Sequence, residues 1–117
     1  MSTTATRTTT IVYAGDVDGT QVIEAASNTV SPASIEIKTL GSGPNTITVP
    51  TGGTTVTAVT IYPPVGNTTG ITLKGVTGDT GVRLHDTDPT TVAIHSSVTT
   101  FCLTAAASLT GVRLYWS

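Results

Sequence analysis

Charge is the first thing in short supply. Only 10% of the residues are Asp, Glu, Lys or Arg, against about 25% in ordinary soluble domains. The formal net charge is −2, and the five basic residues, Arg7, Lys38, Lys74, Arg83 and Arg113, form no run. Neither the basic stripe of a nucleic-acid interface nor the polybasic patch of an anionic-membrane anchor is present. Cysteine occurs once, at Cys102, so no internal disulfide can form. No activating motif surrounds it, and it reads as a small residue in a sheet, not a nucleophile. Aromatic residues make up 4% of the chain: Phe101, Trp116, Tyr13, Tyr62 and Tyr115. Long apolar runs are missing too, at Met1–Arg7 in particular, so neither a signal peptide nor a membrane anchor is expected there.

What is abundant is threonine, 28 of 117 residues. Thr and Val fit a pleated, half-buried surface and disfavour helices because their β-branching restricts χ1. Disorder needs high net charge and few such residues, and neither condition holds. The length suits one domain that buries roughly two-thirds of its unfolded surface.

Gly70–His95 carries the clearest pattern. Ile71 and Leu73, then Val82 and Leu84, then Val92 and Ile94 alternate with polar neighbours, the period of a strand with one wet face. Between them, Thr77–Gly81 and Asp86–Pro89 have turn composition, so a three-stranded antiparallel meander is expected. Elsewhere, short strands are expected at Thr10–Tyr13, Gln21–Ala25, Ser34–Leu40, Thr46–Val49, Thr99–Thr104 and Gly111–Trp116. Thr54–Tyr62 is expected to be the longest, with apolar groups on both faces, as in a central strand or one buried against a partner chain. The expected core is Ile35, Ile37, Val59, Ile61, Ile71, Leu73, Val82, Leu84, Phe101, Leu103, Val112 and Leu114. Together these predict an all-β fold, a β-sandwich or jelly-roll-like barrel of roughly nine or ten short antiparallel strands. Residues 10–117 form the domain. Met1–Thr9 is either a frayed terminus or an assembly arm, with Arg7 anchoring a partner carboxylate and Thr8 and Thr9 suited to strand addition. The pentapeptide Thr80–Leu84 recurs as Thr110–Leu114, which reads as a shared turn leading into a strand.

Candidate chemistry is sparse. Asp16–Thr20 resembles a fragment of a calcium loop, but the twelfth position, where that loop needs a bidentate Glu, is Ser27. Asp79, Asp86 and Asp88 lie in turns that can meet at one end of a sandwich. His85 and His95 have no third ligand for a metal, and Ser96 and Ser97 beside His95 lack a nucleophile elbow or oxyanion loop. No catalytic residue, metal or other cofactor is expected, and the chain is read as not an enzyme.

Two features bear on association. A weakly charged, Thr-rich surface has little of the repulsion that keeps copies apart, which favours a homo-oligomer. Gly70–Trp116, with Ile71–His85, a Pro turn, the Val92–Ile94 strand and the closing Val112–Trp116, resembles small virion structural proteins of tailed bacteriophages, including capsid decoration and tail-associated proteins. The resemblance implies a compact β fold and a virion location after assembly in the host cytoplasm. It also implies contacts with a major capsid protein or other virion proteins, and a trimer in preference to a dimer. The alternatives are a small tail-associated protein and a receptor- or carbohydrate-binding sandwich, the last poorly supplied with aromatic platforms.

Overall fold

A computed structural model of the chain describes residues 5–13, 22–30, 34–50 and 56–117. They form ten strands and no helix: β1 (Ala5–Tyr13), β2 (Val22–Val30), β3 (Ser34–Leu40), β4 (Gly43–Thr48), β5 (Ala58–Tyr62), β6 (Ile71–Lys74), β7 (Val82–Arg83), β8 (Thr90–Ala93), β9 (Thr100–Ala105) and β10 (Leu109–Trp116). β1 and β2 pair as a separate two-stranded sheet. The others form a front sheet, in the order β3-β10-β5-β8, and a back sheet, β4-β9-β6-β7. Every strand pairing is antiparallel. The fold is an all-β sandwich.

The core lies between the two four-stranded sheets. β10 contributes Val112, Leu114 and Trp116, β5 contributes Val59 and Ile61, and β9 contributes Phe101, Leu103 and Ala105, all buried. Phe101 and Trp116 meet across the gap with ring centroids 6.1 Å apart. Burying each such apolar side chain is worth about 1.5–3 kcal/mol. Where the chain turns from β3 in one sheet to β4 in the other, Asn45 closes the corner. Its Nδ2 donates to the carbonyls of Gly41, Gly43 and Leu103 at 3.0–3.1 Å, while its Oδ1 accepts from the Gly41 amide.

β3 corrects the sequence expectation. Ile35 and Ile37 are 61% and 74% exposed; Glu36, Lys38 and Leu40 take the inner face. In register with β10, Glu36 stands opposite Leu114 and Lys38 opposite Val112. The Trp116 indole Nε1 donates to Glu36 Oε1 at 3.0 Å, and Glu36 pairs with Lys38 at 3.3 Å. β3 is an edge strand, so its inward side chains reach the rim of the sandwich, and the two charged side chains remain about a third exposed. Long side chains can cover apolar surface this way while their heads stay wet. Val82 departs from expectation as well: at 66% exposure it sits on β7, a two-residue edge strand. Leu73 is half-buried, and the remaining expected core residues are buried.

The meander also differs. β6 and β7 form the expected hairpin, but β8 leaves for the front sheet and pairs with β5. Asn67 helps fix that crossover, its Nδ2 donating to the carbonyls of Thr69 and Asp86 at 2.9 and 2.8 Å. β5 is an interior strand, but it has five residues, not the nine of β1 and β2; residues 51–55 lie outside the described residues. Its apolar Ala58, Val59 and Ile61 are all buried within the chain, so they offer a partner nothing. The segment Met1–Thr9 is strand from Ala5 onward, paired with β2 from Val30 to Ala26 over Ala5–Thr9; residues 1–4 lie outside the described residues.

The repeated pentapeptides share a physical lead-in. Gly81 and Gly111 both adopt left-handed backbone, with φ of 74° and 80°, and the β10 register shifts at this point, as in a bulge. A Cβ on Gly81 would stand 2.5 Å from the Leu73 carbonyl oxygen and 2.6 Å from Lys74 Cγ; on Gly111 it would meet only Pro64, at 4.0 Å.

Two outcomes follow for urea unfolding. Gly111→Ala loses about 1–2 kcal/mol, the conformational cost alone, whereas Gly81→Ala adds about 1–3 kcal/mol of overpacking; equal losses would contradict the close approach. Glu36→Ala strands the buried indole N–H and loses about 1–3 kcal/mol, while Glu36→Gln keeps an acceptor and loses under about 1 kcal/mol. Equal losses there would remove the Trp116 bond from the account.

Candidate functional site

The candidate site is the outer face of the front sheet. Direct cross-strand partners share a face, so the register lays out two rows. One runs Ile37–Arg113–Tyr62. The other runs Ile35–Tyr115–Thr60–Thr91, two residues along and therefore about 7 Å away. In the centre, Tyr62 and Tyr115 meet edge to face, with centroids 5.0 Å apart and planes at 64°. The Arg113 guanidinium carbon lies 5.2 Å from the Tyr62 ring centre and 5.8 Å from that of Tyr115. Arg113 Nη1 also donates to the Tyr115 hydroxyl at 3.1 Å. Cation–π contact and one hydrogen bond thus hold the guanidinium in place while leaving its other donors available. Thr60 and Thr91 join hydroxyls at 2.9 Å.

Strand β1 overhangs this face. Arg7 and Thr8, with Thr6, help to line a cleft of about 590 Å³ whose other side includes Tyr62, Arg113 and Tyr115. Arg7 Nε is buried without a hydrogen-bond partner. Of the residues expected in an assembly arm, Arg7 and Thr8 therefore belong to the cleft; Thr9 pairs through its backbone with Ala26, and its side chain lies outside the described residues.

The other candidates are dispersed. Asp79 Oδ2 accepts the Val76 amide at 3.0 Å, and Asp86 pairs with Arg83 at 3.0 Å, so these carboxylates serve their own turns. His85 Nδ1 accepts the amides of Thr87 and Asp88 at 3.2 and 2.9 Å, which places the neutral ring's proton on Nε2. His95 Nδ1 accepts the Ser97 amide at 3.1 Å in the same manner. Both histidines lie just beyond strand ends and hold turns. Among the described residues no three His, Cys, Asp or Glu side chains gather as a metal site would require; Asp16 and Asp18 lie outside them. Cys102 is buried, its Sγ 3.7 Å from Thr104 Oγ1. A second cavity of about 230 Å³ opens between the sheets, lined by Val59, Leu73, Val92, Ile94, Val98 and Phe101 among others. No helix among the described residues is long and apolar enough to cross a membrane.

Sequence reading missed the Tyr62–Arg113–Tyr115 cluster. Its one available signal was that Arg113 and Tyr115 alternate with Val112, Leu114 and Trp116; Tyr62 joins them only through the β5–β10 register. No family model, curated protein or solved structure matches the chain.

A double-mutant cycle tests the cluster. Arg113→Ala and Tyr62→Leu should couple by about 0.5–2 kcal/mol in equilibrium unfolding; strict additivity would mean that the guanidinium does not engage the ring.

Proposed function

We propose that the chain is a non-enzymatic virion structural protein of the capsid-decoration kind, which reinforces its particle by docking through the outer face of the front sheet. The observation that carries this reading is the exposure of Ile35 and Ile37 in register with Tyr115 and Arg113. Exposed aliphatic groups beside Tyr and Arg have the composition of a protein–protein interface centre, not of an ordinary wet sheet face. Scarce surface charge supports it, since little repulsion opposes packing of many copies. The virion setting, the capsid-protein partner and the preference for a trimer rest on the resemblance of Gly70–Trp116 to small phage structural proteins. The apolar groups of β5 are used inside the chain, as in the central-strand alternative, whereas Ile35 and Ile37 of β3 are exposed.

The test is co-sedimentation with purified particles. The wild-type chain should be retained at a fixed copy number per capsid subunit, and Ile37→Asp, folded with an unchanged melting temperature, should bind at least about tenfold more weakly. Absence from particles would refute the virion assignment; equal retention of Ile37→Asp would refute the docking face.

A further inference from the structure

We propose that the cleft between β1 and the front sheet receives a carboxylate side chain from a bound polypeptide, with Arg113 and Arg7 as its ligands and the isoleucines of β3 seating an apolar neighbour. The proposal rests on reading this sheet face as a docking surface and adds the chemistry of the partner.

Charge is the first argument. Two of the five basic residues of the chain line this one cleft, and no Asp or Glu does. Neither guanidinium is paired with a carboxylate among the described residues, whereas Arg83 has Asp86 and Lys38 has Glu36. Leaving a buried guanidinium N–H such as Arg7 Nε unpaired is costly, and a carboxylate that reached it on rearrangement of this long side chain would remove that cost. Arginine presents a planar fork that matches a carboxylate through two parallel N–H···O bonds. Arg113 is already held by two rings and a hydroxyl, so little further ordering is needed on binding.

The second argument is the company the arginines keep. A site for a small free anion needs donors alone. Here Ile37 is the direct cross-strand neighbour of Arg113, and Ile35 that of Tyr115, so an apolar edge adjoins the cationic centre. That combination fits a peptide in which an acidic residue is flanked by aliphatic ones. The acid supplies the charge match and the aliphatic groups cover Ile35 and Ile37.

The full chain, labelled with ¹⁵N, is titrated with a capped peptide, Ile-Thr-Glu-Thr-Ile, with its Glu→Gln counterpart, and with sodium acetate. The acidic peptide should shift the resonances of Tyr62, Arg113 and Tyr115, and the Gln peptide should bind at least about tenfold more weakly. Arg113→Lys, checked for an unchanged melting temperature, should lose a similar factor, because an ammonium cannot reproduce the fork. The proposal is overturned if the two peptides bind alike, if neither binds, or if acetate binds there as tightly as the acidic peptide, which would mark a simple anion site. Because the isolated protein is used, failure here leaves the virion assignment to the particle experiment, and absence from particles leaves the peptide result standing.

Discussion

The buried indole N–H of Trp116 is the constraint on which the rest of the molecule depends. Trp116 is 1% exposed, and an indole donor taken out of water needs an acceptor. Glu36 supplies it from the adjoining strand. Side chains on a strand alternate with a period of two, so turning Glu36 inward turns Ile35 and Ile37 outward. Leu40, on the same parity and 1% exposed, adds its burial to that choice. One hydrogen bond and one leucine thus outweigh two isoleucines on an edge strand, where inner and outer positions differ less in burial than at the centre of a sheet. The apolar margin of the proposed docking face is a consequence.

β10 links core to surface. Its Val112, Leu114 and Trp116 fill the centre of the sandwich, while the residues between them, Arg113 and Tyr115, form the middle of the half-buried cluster on the outer face. The positions of the guanidinium and the rings are therefore set by core packing, which gives a rigid platform. The β1–β2 hairpin contributes Arg7 from outside the sandwich, so the cleft is built jointly by a well-packed sheet and a separate ribbon. The proposed partner chemistry depends on both.

Much of the fold was legible because alternation reports burial wherever a strand is central. Val59, Ile61, Leu103, Val112 and Leu114 were all placed inside on that ground, and all are buried. The same reasoning misplaced Ile35 and Ile37 because the deciding partner, Trp116, lies far along the chain. Local pattern also joined β8 to β6 and β7 as a meander; the actual neighbour of β8 is β5, with Asn67 bonded to Asp86 beside the crossover. Turn chemistry was legible in kind but not in role. The Asp and His residues near Gly70–His95 lie in turns, yet what each one holds depends on backbone amides that sequence spacing does not locate. The Arg7–Tyr62–Arg113–Tyr115 grouping was invisible for a similar reason, since it is assembled from three strands of two different sheets.

The orientation of β3 is the point at which fold and proposed function meet, and it can be measured directly. The double variant Ile35→Thr/Ile37→Thr keeps strand-forming residues while removing two aliphatic side chains. With both positions facing solvent, its unfolding free energy in urea should lie within about 1 kcal/mol of the wild type, as for other surface substitutions. A loss of several kcal/mol, the cost of emptying two core positions at about 2–5 kcal/mol each, would put the isoleucines inside and contradict the account.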